Sequence, residues 1–245
     1  LVVNFNTKQG GVWDNTYGIV AGNMLEQRRK AMRYSELPHT VDSLMWENAA
    51  LRAALMNRQT LSINLLDTAW TVKIDSLPGA NSFPSYSVIP AEVVSNSVSG
   101  SNNWVMLNRG SADGIVRNSG VIAREGIVGI IRHVDEHFSL AMSVLHQQTK
   151  ISAILRGQLG SMVWTGGDPS MMLLNDIPKD IEPMVGDTVL TSGYSSMFPK
   201  KHIIGRVASV ELPKGSNFYS IKVKLAQHPG RMEQVFVVNN LFANR

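Results

Sequence analysis

The sequence predicts a mainly β protein with a helical N-terminal segment, and three observations carry that expectation. From about Val88 onward the chain runs in short β-branched stretches separated by Gly, Asn, Asp and Pro. No helical pattern of about 10–15 residues lies between those stretches, which argues against the alternation of a parallel α/β sheet. Residues 22–60, in contrast, hold no Gly after Gly22, one Pro (Pro38) and a dense set of strong helix formers.

Taken in order, residues 1–20 are polar, carry Gly10, Gly11 and Gly18, and have no clean period; they read as a tether. The helical segment contains a heptad pattern. Leu37, Val41, Leu44, Asn48, Leu51 and Leu55 recur at alternating spacings of four and three, the a/d seam of a coiled coil. Val41, Asn48 and Leu55 fall at a, and Leu37, Leu44 and Leu51 at d. A β-branched residue at a, Leu at d and one Asn at a favour a parallel two-stranded coil, because the asparagines pair across the seam and penalise other registers. The competing reading is a single amphipathic helix packed on the β region. Pro38 breaks or kinks the helix on its upstream side. Ser76–Ser87, with Pro78, Gly79, Asn81 and Pro84, reads as a linker.

The predicted strands lie at Val88–Val94, Val121–Ala123, Ile127–Ile131, Ile203–Val207, Ile221–Leu225 and Val235–Val238. Short strands with turn signals between them indicate a sandwich or barrel. Asn108-Arg-Gly-Ser-Ala-Asp-Gly114 and Val185-Gly-Asp-Thr-Val189 each place a Gly/Asp turn before a β-branched residue, as at equivalent corners of two similar barrels.

Composition bounds the chemistry. The 245 residues suit one large domain or two small ones, and 44% hydrophobic with 17% charged residues is the balance of a folded core rather than a disordered chain. No run approaches the roughly 18 apolar residues of a membrane span. Without Cys there is no disulfide, thiolate-bound zinc, iron–sulfur cluster or thiol nucleophile. The net charge of +4 is mild. Arg28, Arg29, Lys30 and Arg33 form one basic cluster and Lys200, Lys201 and His202 a smaller one, but the aromatics are sparse and scattered, so no nucleic-acid surface is expected.

Two motifs mimic catalytic signatures. His133-Val-Asp-Glu-His137 matches the inverted zincin pattern, in which a helix brings two His onto one metal. Here it lies between two strand-like stretches and reads as a polar hairpin turn. Thr191-Ser-Gly-Tyr-Ser195 resembles a nucleophile loop, yet Met197 stands where the last Gly of Gly-x-Ser-x-Gly belongs. No phosphate-binding Gly loop is present, and no cofactor, metal or catalytic residue is expected. The alternative reading is a secreted β-barrel hydrolase, metal-dependent through His133, Glu136 and His137 or serine-dependent through an unseen triad.

A set of collinear motifs narrows this further: Glu47-Asn48-x-x-Leu51-Arg52, Asn108-Arg-Gly-x-x-Asp-Gly114, Gly126-Ile-Val-Gly129, Gly186-Asp187, Thr191-Ser-Gly193, Phe198-Pro199 and Ile204-Gly205-x-Val207. Over residues 37–238 the chain resembles the bacterial rod-shape-determining MreC family. That resemblance implies a coiled-coil helix followed by two small six-stranded β-barrels of chymotrypsin-like topology, used without catalysis. It divides the chain into residues 1–75 (tether and coil), 88–148 plus 206–240 (first barrel) and 149–205 (second barrel, inserted into the first). It further implies a periplasmic protein anchored to the inner membrane by a helix upstream of residue 1. Such a protein would act as a scaffold of cell-wall elongation, as a homodimer able to form filaments. Its expected partners are an elongation-class penicillin-binding protein and, through membrane-proximal parts, MreB and MreD. Met171, Met172, Tyr194, Met197 and Phe198 are the expected partner contacts, since Met and aromatics are enriched at interfaces; burial in a barrel core is the competing reading.

Overall fold

The computed structural model of the chain describes residues 40–58 and 85–242. Leu37, Pro38, the expected tether, the Arg28–Arg33 cluster and most of the expected linker lie outside the described residues. Residues 40–58 form one helix, α1. The division of the chain into two units falls inside it, between Glu47 and Asn48.

Twelve strands follow: β1 (Tyr86–Asn96), β2 (Trp104–Leu107), β3 (Gly120–Ile122), β4 (Ile127–Val134), β5 (Ser139–Ser143), β6 (Lys150–Leu155), β7 (Gln158–Val163), β8 (Met171–Pro178), β9 (Thr188–Thr191), β10 (Ile203–Glu211), β11 (Phe218–Leu225) and β12 (Gln234–Asn240). They close into two six-stranded barrels in the orders β1-β12-β3-β4-β5-β2 and β10-β11-β8-β7-β6-β9. Each pairing is antiparallel. The whole second barrel is inserted between β5 and β12 of the first.

The expected boundary between residues 205 and 206 needs correction. It cuts through β10, which pairs with β9 and β11 inside the second barrel. That barrel takes strands from Lys150 to Leu225, and only β12 returns to the first. The runs Ile203–Val207, Ile221–Leu225 and Val235–Val238 look alike locally. Their sheet is decided by hydrogen-bond partners far away in sequence.

Two cores result. Ile89, Ala91, Val105, Leu107, Val121, Val128, Ile131, Ala141, Val235 and Val237 fill the first barrel. The second cluster holds the interior of the second barrel, including Ile151, Ala153, Leu155, Leu174, Val189, Ile221 and Val223. It also takes in Val88, Ile122, Ile127, Ile130, Phe236 and Val238 from the first barrel. Because successive strand residues point to opposite faces, β3, β4 and β12 serve both clusters at once.

Glycines permit the close approaches. A Cβ on Gly120 of β3 would lie 2.1 Å from the Met197 carbonyl oxygen and 2.8 Å from the Phe198 ring, so only Gly admits the β9–β10 loop against the first barrel. In the second barrel, Arg156 (φ 50°) and Gly157 (φ 85°) form the two-residue turn between β6 and β7. Positive φ at both positions is what a type I′ hairpin requires.

Candidate interaction surface

In the second unit, α1 divides its residues between two stripes. Ala49 and Met56 are buried in the core cluster, and Ala53 packs against it. Asn57 secures this face. Its Oδ1 accepts from the backbone N–H of Ser85 (2.8 Å) and Tyr86 (2.9 Å), and its Nδ2 donates to the Tyr86 carbonyl (3.1 Å). The Arg52 guanidinium stacks over the Phe236 ring of β12 at 4.6 Å, a cation–π contact in which the ring face attracts the charge.

At about 100° per residue, Asn48, Leu51 and Leu55 fall on a different stripe. Leu51 is 59% exposed and Leu55 61%, and Asn48 is exposed as well. In the first unit, Val41 and Leu44 are exposed while Met45 is buried. The expected seam positions that are described are thus solvent-facing, whereas Ala49, Ala53 and Met56 take the packing. The helix thus packs on the core cluster through Ala49, Ala53 and Met56 and leaves Leu51 and Leu55 exposed. What the sequence pattern missed was the small-residue stripe, legible as Ala49-x-x-x-Ala53 beside the leucines.

The β9–β10 loop carries the expected contacts Tyr194, Met197 and Phe198, and β8 carries Met171 and Met172. Thr191 Oγ1 donates to the Pro199 carbonyl and accepts from the His202 N–H at 2.9 Å. Ser192 Oγ donates to Ser152 Oγ at 2.8 Å and accepts from the Tyr194 N–H at 3.1 Å. The Thr191 and Ser192 hydroxyls are thus engaged in holding the loop's shape. At its tip Tyr194 is 79% exposed. The expectation for two of the others is corrected: Phe198 is 1% exposed, a plug between the barrels against Gly120, and Met172 of β8 is buried in the second barrel. Met171 and Met197 are half-buried. A residue facing the interior of a closed barrel has no surface to offer, so of the five only Tyr194 presents its whole side chain.

The two turn motifs of the first barrel lock together. Ser111–Asp113 forms a 3-10 turn whose N–H groups at Ser111 and Ala112 donate to the carbonyls of Asp135 (2.8 Å) and Glu136 (3.0 Å). The His133–His137 segment therefore ends β4 and turns into β5 while serving as acceptor for this corner. His133 lies beside the Trp104 ring, at 6.2 Å between centroids, and His137 and Glu136 are exposed. Among the described residues no three His, Asp or Glu side chains converge to hold a metal ion. The corner of the second barrel differs. Asp187 takes Arg156 Nε at 2.6 Å and the Met184 N–H at 2.9 Å, and these bonds hold its carboxyl below the ordinary 3.8.

A family model described as rod shape-determining protein MreC, barrel core, matches residues 93–239. The cell shape-determining protein MreC of Listeria monocytogenes is 26% identical over 145 residues, which is 57% of this chain and 49% of that protein. The chain spans about half the length of the curated relatives it matches. A solved MreC structure from Listeria monocytogenes aligns with a TM-score of 0.61 at 20% identity, covering 82% of this chain and 94% of that one. Another, the major periplasmic domain from the cell shape-determining filament MreC, aligns at 0.55 with 18% identity, covering 64% and 97%. The family match reaches from β1 to β12, well over half of the chain and through both barrels, and the chain belongs to the MreC family of rod shape-determining proteins.

Proposed function

We propose that this chain is a non-catalytic scaffold of cell-wall elongation, held in the periplasm by an inner-membrane helix upstream of it. In this reading it dimerises through the Leu37–Leu55 seam and presents its barrels to an elongation-class penicillin-binding protein, while MreB and MreD meet its membrane-proximal parts. Family membership supports the pathway. The periplasmic origin and filament nature of the structural relative support the compartment and self-association. The two antiparallel six-stranded barrels read as a chymotrypsin-like architecture without its catalysis.

The observation that carries the scaffold reading is the exposed stripe of α1. Leu51 and Leu55 are far more exposed than leucines of a helix whose only role is to pack on its own barrels. They recur at the spacing a second helix fills with knobs in holes. A dimer presents two sets of barrels at a fixed separation, and that is what a scaffold needs. Tyr194, with Met197 beside it, is the proposed barrel-side contact, since an exposed aromatic on a hydrogen-bonded loop costs little entropy to immobilise.

The test is capture of the elongation-class penicillin-binding protein from membrane extracts by this chain and by Leu51→Asp/Leu55→Asp and Tyr194→Ala variants. Capture that weakens in either variant supports the reading; no capture by the wild-type chain contradicts it.

A further inference from the structure

Where the helix meets the β9–β10 loop there is a cavity of about 180 Å³ lined by Arg52, Leu55, Met56, Pro199, Lys200, Lys201 and His202. Its charge is of one sign: one guanidinium, two ammonium groups and an imidazole, with no carboxylate in the lining. Among the described residues none of these cations is paired with a carboxylate. Arg124 stands close enough to Arg52 for the two charges to disfavour each other. Like charges gathered without a counter-ion raise the free energy of the empty site, and an anion relieves it.

The site is also built. Arg52 is held in place by the Phe236 ring at 4.6 Å. Thr191 fixes the loop on both sides of Lys200 and Lys201, through its side-chain bonds to Pro199 and His202 and its carbonyl bond from the Lys201 N–H at 2.9 Å. Lys201 itself sits at φ 66°, a left-handed conformation that non-Gly residues adopt infrequently. One polar atom in this set is unsatisfied. His202 Nε2 is buried and has no hydrogen-bond partner, which is unusual for a buried polar group.

We propose that this cavity is an oxyanion site that takes a phosphate group, bound by Arg52, Lys200, Lys201 and the Nε2–H of protonated His202. The guanidinium offers a planar fork to two phosphate oxygens and the ammonium groups act as mobile point charges. The phosphate can belong to a lipid headgroup or to a soluble phosphate ester, since both present the same oxygens. This goes beyond the scaffold reading and does not depend on it.

Proton uptake follows from the same geometry. Burial, and then the Arg52 charge, hold His202 below its ordinary 6.5, opposed by its hydrogen bond to the Gly126 backbone. The charged groups facing it are Arg52 from the helix and Lys200 and Lys201 from its own loop. A bound anion favours the imidazolium, so binding takes up a proton and keeps tightening as pH falls below 6.5 toward the lowered value of the empty site.

The experiment titrates the full chain with inorganic diphosphate, following the His202 ring resonances and the heat of binding. It is repeated with inorganic sulfate, whose charge is constant across this range, above and below pH 6.5. Expected is saturable one-to-one binding that weakens about tenfold or more in Lys200→Gln/Lys201→Gln, as loss of charge-assisted hydrogen bonds implies. The sulfate affinity should rise toward acid pH in the wild type and stay flat in His202→Gln. Vesicles of phosphatidylglycerol, against phosphatidylcholine, separate the sources. Vesicle binding displaced by diphosphate assigns a lipid headgroup; diphosphate binding without vesicle binding assigns a soluble ester. No saturable binding by either probe, or binding that survives unchanged in the lysine variant while its thermal melt matches wild type, overturns the proposal.

Discussion

In the first barrel, β12 buries Val235 and Val237 toward the barrel interior and Phe236 and Val238 toward the cluster shared with the helix and the second barrel. In the second barrel, β11 buries Ile221, Val223 and Leu225 and leaves Lys222 and Lys224 in water. Both barrels have six antiparallel strands, yet one shares a wall between two cores while the other turns polar faces outward. Strands buried on both faces read as continuous apolar runs, and strands buried on one face alternate. The shared wall makes the first barrel a structural partner of the helix segment that carries Ala49, Ala53 and Met56.

The comparison predicts unequal costs for side chains at similar positions. Phe236→Ala should have the largest effect, about 3 kcal/mol or more, because it opens a cavity in the shared cluster and removes the ring under Arg52. Lys222→Ala, on a one-sided strand, should stay within about 0.5 kcal/mol. Urea denaturation of both variants measures this, and equal losses would break the contrast. Gly120→Ala drives a Cβ into the Met197 carbonyl and should cost about 1–3 kcal/mol by overpacking. If it instead lets the barrels melt separately, calorimetry will show two transitions. Asn57→Ala strands the N–H groups of Ser85 and Tyr86 and should cost about 1–2 kcal/mol. Hydrogen exchange should then quicken first at the start of β1.

The smallest effect belongs to the corner of the second barrel. Asp187 is held below its ordinary 3.8 by Arg156 and then by the Met184 N–H. Its folded value is depressed, so its contribution is present above 3.8 and fades as pH falls through the lower folded value. The pair is partly exposed and worth little. Arg156→Ala should therefore leave the neutral-pH melt almost unchanged and flatten its dependence below pH 4.

How much of this could be read from the residues follows the same contrast. Ile127–Ile131 and Val235–Val238 are conspicuous because both their faces are buried. In β6, Ser152 interrupts the apolar residues, and β7 carries Gly160, where a Cβ would lie 2.7 Å from the Asn175 carbonyl. Those strands were not legible because close backbone approach, rather than side-chain character, defines them. The boundary at 205/206 failed because closing a barrel pairs strands distant in sequence. Phe198 and Met172 passed for contact residues, since an apolar side chain bound for a core and one bound for a partner look identical in sequence. The helix of residues 40–58 was legible from its run of strong helix formers. The Arg52–Lys200–Lys201–His202 cavity was not, because it joins residues nearly 150 positions apart.

Ala49, Ala53, Met56 and Asn57 anchor the helix, and the dimer proposed above uses its exposed leucines. Sedimentation equilibrium of the wild-type chain and of Leu51→Asp/Leu55→Asp tests it most directly. Expected is a reversible dimer for the wild type and a monomer with an unchanged thermal melt for the variant. A wild-type chain that stays monomeric at high micromolar concentration, or a variant of unchanged mass, would contradict it.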